Sequence, residues 1–328
     1  MSHLIDEVIY MKDVMDEKYK KEYETLIRYI ESDYPESLDG RFAGMVVNSN
    51  RVLFANSPEG IKVKWIILED NALNVNIRVD PGIRIDTPVH LCFGILNKIG
   101  KQKINMDIEV GKDSVVKFVS HCIFPNSVDI SHLMDARIHL HPGARMEYHE
   151  VHIHGKSGHI TLVPSGKVRV DAGAEFKSYF TLKSGIAGDV DIDYEISIYD
   201  DAVCFLESKI HGREKDKIKI KESVFLKGNN SKGIIKTRVV LRDYSFGDIT
   251  GEIIGEGDNS KGHVDCMEVV FDNAVAKASP IVFAKNPKSK VTHEAAIGSI
   301  DRKQLITLMA RGLSEEEAID IIVGGLLR

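Results

Sequence analysis

Cysteine is scarce in this chain of 328 residues, and its placement argues against two common kinds of site. The four cysteines form no C-x-x-C pair and lie far apart, at Cys92, Cys122, Cys204 and Cys266. A disulfide framework or a structural zinc knuckle needs paired or closely spaced cysteines. We therefore expect at least three of the four to be reduced, buried thiols.

Excess positive charge and long apolar runs are also lacking. The chain has 43 Lys and Arg residues against 49 Asp and Glu residues, a formal net charge of −6. Nucleic-acid binding needs a clustered basic surface, so this composition argues against it. No apolar run reaches the roughly eighteen residues of a membrane span, and the acidic, amphipathic N-terminus is unlike a signal peptide. We expect a cytoplasmic protein without a membrane segment.

The common catalytic motifs are missing as well. The sequence contains no GxxxxGK[ST] nucleotide loop, no GxGxxG, no HExxH and no GxSxG. Each of these motifs places a nucleophile, a metal or a phosphate cradle at a defined turn or helix. We therefore name no catalytic residue and do not expect an ATPase that acts alone.

The N-terminal segment, residues 1–36, has helical periodicity. Apolar residues recur at spacings of three and four through residues 1–31, which is typical of an amphipathic helix. Pro35 ends this pattern, because proline disfavours helical geometry in the residue before it.

Residues 37–290 have a different pattern, in which short β-branched runs alternate with turns. The segments 76–82, 107–113, 137–144 and 167–174 each carry a strand into a turn, roughly 30 residues apart. Later turns place Ser231, Ser260 and Ser289 at an identical interval, each followed by lysine. A constant interval in strand-and-turn sequence without helices predicts a right-handed parallel β-helix, with helical segments at both ends.

The C-terminal segment, residues 291–328, predicts two short amphipathic helices. Leu305 and Leu308 share a face of the first helix, and Ser314 with Glu317 forms a capping box for the second. Two short helices cannot bury both apolar stripes against each other. They must pack on the solenoid or on a partner protein, and the sequence leaves both open.

A histidine-rich stretch offers one candidate metal site. In strand geometry His139 and His141 share a face, as do Glu150, His152 and His154. The HxH spacing with a nearby Glu147 is similar to the cupin metal motif. A metal site here would make the protein a metal-dependent enzyme, whereas a ladder of surface histidines is the structural alternative.

A second candidate site lies near the end of the solenoid. Cys266 supplies a soft ligand, while Asp265, His293 and Glu294 supply harder ones. Residues 265 and 293 are about one solenoid turn apart, so stacking brings them close. Alternation sends Asp265 and Cys266 to opposite faces unless a bulge intervenes. A buried structural thiol with polar capping of the last coil is the alternative.

Residues 291–327 resemble the C-terminal signature of the SufB/SufD family, the scaffolds of SUF iron–sulfur cluster assembly. The matching segments are His293-Glu294-Ala295, Gly298-Ser299-Ile300, Gln304-Leu305, Arg311-Gly312-Leu313-Ser314-Glu315 with Ala318, and Val323-Gly324-Gly325-Leu326. Glu294 favours SufB over SufD, which usually has glycine there. The chain is shorter than typical SufB and lacks the N-terminal cysteine motif of many SufB proteins.

The resemblance implies a β-helix scaffold that dimerises through one end, here as a homodimer, and holds a nascent iron–sulfur cluster at the interface. It implies cluster ligands His293 and Glu294, with the family's cysteine position falling on Asp265 or, one residue later, Cys266. It also implies that a SufC-type ABC ATPase docks on the C-terminal helices and that clusters pass to recipient proteins. The docking residues that follow from the signature are Gln304, Leu305, Leu308, Arg311, Gly312 and Leu313. A purely structural adaptor without metal is a third possibility.

Overall fold

A computed structural model describes residues 19–31 and 44–327. The predicted parallel β-helix is confirmed: strands make up 60% of the structure and form a solenoid of about eight turns, with three helices at its ends. Each turn contributes one strand to each of two facing sheets, so inward side chains of both sheets share one continuous core. The part of the predicted N-terminal helix in residues 1–18 lies outside the described residues.

Ten strands form sheet A. In spatial order they are β19 (Lys290–Gly298), β17 (Lys261–Val270), β15 (Lys232–Leu241), β13 (Val203–Gly212), β11 (Glu175–Ser184), β9 (Arg145–His154), β7 (Val115–Phe124), β5 (Val89–Gly94), β1 (Gly44–Asn48) and β2 (Arg51–Asn56). Neighbours are parallel except β1 and β2, which form an antiparallel pair.

Nine strands form sheet B. In spatial order they are β18 (Val275–Ala284), β16 (Phe246–Gly255), β14 (Lys217–Leu226), β12 (Asp189–Ile198), β10 (His159–Val170), β8 (Asp129–Leu140), β6 (Ile99–Val110), β4 (Leu73–Val79) and β3 (Ile61–Ile67). Again only the first pair along the chain, β3 and β4, is antiparallel.

The turns explain why the repeat is so regular. Asn230 and Asn259 adopt positive φ at equivalent positions, a conformation that asparagine tolerates better than most residues. The serines that follow are buried, and Ser260 donates a hydrogen bond to the hydroxyl of Ser289, 29 residues along the chain. The turn residues thus stack from coil to coil and hold the strand register.

The N-terminal helix, α1 (Lys20–Glu31), covers the outer face of sheet A near its first strands. Leu26, Ile27 and Ile30 pack on Val46 and Leu53. A Cβ at Gly94 would lie 2.3 Å from the Leu26 side chain, so a larger residue at this position would force Leu26 to move. The first coils are therefore covered from outside as well as filled from inside.

The C-terminal helices differ in how firmly they pack. The second of them, α3 (Glu315–Leu326), lies on sheet A, where Ile319 and Val323 contact Val240 and Val269. Its predicted capping box between Ser314 and Glu317 is present. The preceding helix, α2 (Arg302–Met309), has no buried residue. Packing on the solenoid, one of the two arrangements left open by the sequence, is therefore observed for α3.

The two ends of the solenoid also differ. The last coil, formed by β18 and β19, has no strand beyond it in the described chain, and its side chains are half-buried at most. It exposes Val275, Ile281, Phe283 and Ile297. An open strand edge with apolar side chains is a surface on which another chain can pair.

No helix in the described residues is long and apolar enough to cross a membrane.

Candidate functional site

Cys266 and Asp265 lie on β17, next to the last strand of sheet A, and point in opposite directions. Cys266 is 1% exposed and faces the core, whereas Asp265 lies on the outer face. The pairing of β17 with β19 is continuous, without the bulge that would bring both side chains to one face. The two candidates for the cysteine position therefore belong to different surfaces of the sheet.

His293 and Glu294 on β19 divide in the same way. His293 pairs with Val264, an inward position, and Glu294 pairs directly with Asp265. Cα partners on adjacent strands lie about 5 Å apart, so Glu294 and Asp265 are neighbours on the outer face. His293 shares the core-facing side with Cys266, one diagonal step away, and is exposed because no coil covers β19. The structure thus forms two pairs, His293 with Cys266 and Glu294 with Asp265.

These four residues do not complete a ligand set within one chain. Among the described residues, no three of them bring ligand atoms within 4.8 Å of one another. Asp265 is already engaged, since the Arg238 guanidinium donates hydrogen bonds of 3.0 and 2.5 Å to its two carboxylate oxygens. Asp265 would have to leave Arg238 before it could bind a metal.

The thiol of Cys266 is not reactive by itself in this environment. Burial raises its pKa to about 12, and the nearby carboxyls of Glu268 and Glu222 add to the shift. The thiolate is the form that binds metal, so Cys266 is a ligand only where a cation supplies compensating charge.

Glu222 on β14 is a second buried ionisable group in this part of the core. It is 2% exposed and accepts a 2.7 Å hydrogen bond from the Ser208 hydroxyl. Burial raises the pKa of Glu222 to about 7. A carboxyl with one good hydrogen bond and no cation beside it is more stable protonated than charged in the core.

We expect Glu222→Gln to stabilise the protein more at pH 8 than at pH 5. The unfolded glutamate ionises near pH 4.5, whereas the folded one keeps its proton up to about pH 7. The folded state therefore loses stability as pH rises between these values, and the loss stays constant above them. Because one pKa unit corresponds to about 1.4 kcal/mol, the gain in unfolding free energy should be roughly 2 kcal/mol larger at pH 8. Urea unfolding followed by circular dichroism at fixed protein concentration measures it.

The control is Glu195→Gln, at an exposed position of β12. This surface change should alter the unfolding free energy by less than about 0.5 kcal/mol at either pH. An equal gain for Glu222→Gln at both pH values would show that Glu222 is not a buried, protonated carboxyl.

The histidine-rich stretch is divided between the two surfaces of the solenoid. His139 lies on the outer face of β8 and His141 directly follows that strand. Their Nε2 atoms contact Asp171 at 2.8 Å and Glu109 at 2.9 Å. Glu147, the residue of the cupin-like spacing, is also outside and contacts His149 and Lys117. Since His152 and His154 are buried, the candidate ligands His139, His141, His152 and His154 do not converge on one site.

His152 and His154 lie inside the solenoid, on β9. Both are nearly inaccessible to solvent, and His152 contacts Glu150, which points inward beside it. The sequence pattern placed these three residues on a common face, which the structure confirms. It did not single out Cys122, whose side chain lies next to them. The available signal was spacing, because Cys122 and His152 are 30 residues apart and are direct partners in adjacent coils.

The residues expected to dock a partner lie on α2 and in the turn between α2 and α3. Gln304, Arg311 and Gly312 are exposed, while Leu305, Leu308 and Leu313 are half-buried. The structure adds Ile306 and Ile321, which are more than half exposed and lay outside the stripes read from the sequence. Ile306 and Met309, three residues apart on α2, form an exposed apolar surface, which we call the helical apolar surface.

Comparison with known proteins identifies the family of this chain. Residues 98–326 match the family described as SUF system FeS cluster assembly, SufBD core domain. An iron–sulfur cluster assembly SufBD family protein of Methanocaldococcus jannaschii is 38% identical over 301 residues, which cover 92% of this chain and 95% of that protein. One of Pyrococcus horikoshii is 34% identical over 309 residues, which cover 94% of each. The chain therefore belongs to the SufBD family of iron–sulfur cluster assembly proteins.

Proposed function

We propose that this protein is a non-enzymatic, cytoplasmic scaffold that binds a nascent iron–sulfur cluster as its cargo at a homodimer interface. It works with a SufC-type ABC ATPase and passes the cluster to recipient proteins. The observation that carries this proposal is the open last coil, which presents His293 and Glu294 beside Cys266 and Asp265. Membership of the SufBD family supports the role in cluster assembly.

A second copy of the chain is the occupant that best suits the open coil. The exposed strands combine unpaired backbone groups with four apolar side chains, Val275, Ile281, Phe283 and Ile297. Pro280 leaves β18 without one backbone donor, whereas β19 contains no proline and can pair along its whole length. We therefore place the dimer contact along β19, the strand that carries His293 and Glu294.

Symmetry also explains why the ligand set of one chain is incomplete. An iron–sulfur cluster takes about four protein ligands. Here each face of sheet A offers two, one from β17 and one from β19. A twofold axis through the interface brings together two copies of the same surface and doubles the donors available. A ligand set shared between two chains can be opened when the chains move, which suits a cluster that must be released.

The proposal predicts that the cluster depends on Cys266 and Asp265. Anaerobic reconstitution with iron and sulfide should give a cluster on the wild-type protein, measured by absorbance and Mössbauer spectra. Replacing both residues by alanine should reduce the cluster yield by at least about tenfold, because the central ligands are removed. The single variants Cys266→Ala and Asp265→Ala identify which residue is the ligand.

Cys204→Ala is the matched control. Cys204 is another buried core thiol on sheet A, and its strand β13 lies two strands away from β17, which carries Cys266. The variant should leave the cluster yield unchanged. An undiminished yield in the Cys266→Ala, Asp265→Ala double variant would rule out the proposed ligands.

A metal-dependent enzyme is the second candidate, and one observation favours it. His139, His141 and Asp171 bring ligand atoms within 4.8 Å of one another on the outer surface. Beside them lies a groove of about 550 Å³, lined in part by Arg137, Arg169 and Tyr199. Zn, Mn or Fe bound in equal amount to the protein and lost in a His139→Ala, His141→Ala variant would support this candidate.

A further inference from the structure

Three potential metal ligands meet inside the solenoid, far from the last coil. The Cys122 thiol, a carboxylate oxygen of Glu150 and an imidazole nitrogen of His152 lie within 4.8 Å of one another. All three residues are at most 3% exposed. We call them the interior ligand group. Five strand steps of sheet A separate Cys122 from Cys266, roughly 24 Å, so this group is distinct from the proposed cluster site.

Strand register explains how the interior ligand group forms. Cys122 on β7 pairs directly with His152 on β9, and both point into the core. Glu150 precedes His152 by two residues on the same strand and therefore points the same way. The three side chains project from two paired strands, so their ligand atoms are held in place even when no metal is bound.

A chain of hydrogen bonds determines which nitrogen of His152 is free. The Nδ1 atom of His154 lies 2.8 Å from the carbonyl oxygen of Ile186, which can only accept, so this Nδ1 carries the hydrogen. The Nε2 atom of a neutral His154 is then an acceptor, and the His152 Nδ1 at 3.3 Å must donate to it. The remaining Nε2 of His152 therefore has a free lone pair.

This lone pair faces a carboxylate oxygen of Glu150 rather than a hydrogen donor. Glu150 Oε1 lies 2.8 Å from His152 Nε2, and two lone pairs at that distance need a proton or a cation between them. Without metal, a proton shared between Glu150 and His152 fills this position. A divalent cation can take the proton's place.

The opposite sheet brings one more nitrogen next to Cys122, although this nitrogen does not lie within 4.8 Å of all three ligand atoms of the interior ligand group. His132 on β8 is fully buried, and its Nε2 lies 3.6 Å from the Cys122 sulfur. Its Nδ1 has no hydrogen-bond partner among the described residues. A cavity of about 30 Å³, lined by Glu150, Tyr148 and Tyr194, adjoins the group and has room for one water molecule.

Charge balance favours a divalent ion. Binding releases one proton from the Cys122 thiol and one from the Glu150 carboxyl, which leaves a thiolate and a carboxylate around the ion. Two negative ligands neutralise the two positive charges, while His152 and His132 bind as neutral imidazoles. A neutral complex is the form that a desolvated interior tolerates best. Sulfur, nitrogen and oxygen ligands in one set suit Zn²⁺ or Fe²⁺ rather than Mg²⁺ or Ca²⁺.

We propose that the interior of the solenoid holds a single Zn²⁺ or Fe²⁺ ion, bound by Cys122, Glu150 and His152, with His132 as a fourth ligand. His154 is a positioning residue, since its hydrogen bond fixes the His152 tautomer that binds. The ion connects sheet A to sheet B across the core. Because the site is closed to solvent, metal enters as the chain folds and exchanges slowly afterwards.

Metal analysis of the full-length protein tests this proposal. After expression and prolonged dialysis against EDTA, about one Zn or Fe atom per chain should remain, and unfolding in guanidinium should release it. Element-resolved mass spectrometry shows which of the two metals is present. The Cys122→Ser variant should retain less than about one-tenth of the wild-type metal, whereas Cys204→Ser should retain all of it. Wild-type protein that releases no metal on unfolding, or equal metal in Cys122→Ser, would overturn the proposal.

Two further variants keep the result independent of folding defects. Protein refolded with Co²⁺ should show a thiolate-to-cobalt absorption band, and the folded state is checked by circular dichroism. Glu150→Gln keeps the shape of the side chain and should lower Co²⁺ content, while His154→Gln should weaken Co²⁺ binding about 10- to 100-fold and keep the thiolate band. A folded Cys122→Ser variant that retains the band would show that another thiol, such as Cys266, is the ligand.

Discussion

Replacing Ile297 by aspartate is expected to convert the proposed dimer into a monomer. Ile297 lies on β19 and is 51% exposed in the single chain, next to the strand edge that we place at the dimer interface. In a twofold interface one substitution introduces two buried carboxylates, each without a partner. An unpaired buried charge costs several kcal/mol, so the dissociation constant should rise at least about 100-fold. Sedimentation equilibrium over a range of protein concentrations measures it.

Ile99→Asp is the matched control for this experiment. Ile99 begins β6 and is 67% exposed, but it lies far from the last coil. This variant should remain a dimer with an unchanged dissociation constant. The cluster yield of Ile297→Asp should fall together with dimer content, because each chain alone holds an incomplete ligand set. A wild-type protein that is monomeric at every concentration, or an Ile297→Asp variant that still dimerises, would contradict the proposed interface.

The solenoid was predictable because its signal repeats. The buried turn serines recur at a constant interval, and each must fit between the turn residues of neighbouring coils. A spacing that recurs along the chain therefore gives the number of residues in each coil directly. The C-terminal capping box was predictable for a related reason, since Ser314 and Glu317 contact each other within one helical turn.

Side-chain direction was predictable only in relative terms. Alternation along a strand shows that His139 and His141 share a face, and that Glu150, His152 and His154 share one. It does not show which face is the core, because polar residues occur on both sides of these strands. In the structure the first pair is outside and the second group is inside. A metal site built from all four histidines was therefore a reasonable hypothesis that the fold does not assemble.

The two candidate sites differ in how much of their geometry follows from one chain. Adding one coil length to Cys122 leads to His152, and the pairing of β7 with β9 then brings the two side chains together. Adding one coil length to Asp265 leads to Glu294, but the neighbouring Cys266 faces the other way. Ligands drawn from both faces can converge only where the sheet ends and another chain begins. That requirement explains why the interior ligand group is complete within one chain and the last coil is not.

Replacing Ile306 by aspartate is expected to abolish the proposed binding of a SufC-type ATPase. Ile306 is 60% exposed on α2 and lies beside Met309 on the helical apolar surface. The helix α3 is anchored to the solenoid through Ile319 and Val323, and Leu305 of α2 packs against the same cluster. An aspartate at the centre of a docking patch leaves a buried charge without a partner, which costs several kcal/mol. Co-purification with a tagged ATPase, followed by calorimetric titration, measures the loss.

A point substitution separates docking from folding better than a truncation does. Deleting residues 301–328 should also abolish ATPase binding, but it exposes Val240 and Val269, which α3 covers, and so disturbs the solenoid. Ile306→Asp leaves those contacts intact, and circular dichroism and dimer content should stay at wild-type values. Ile99→Asp should bind the ATPase as the wild type does, because it adds the same charge at an exposed isoleucine elsewhere. Undiminished binding by Ile306→Asp would place the ATPase on a different surface, and the exposed apolar side of α2 would then need another partner.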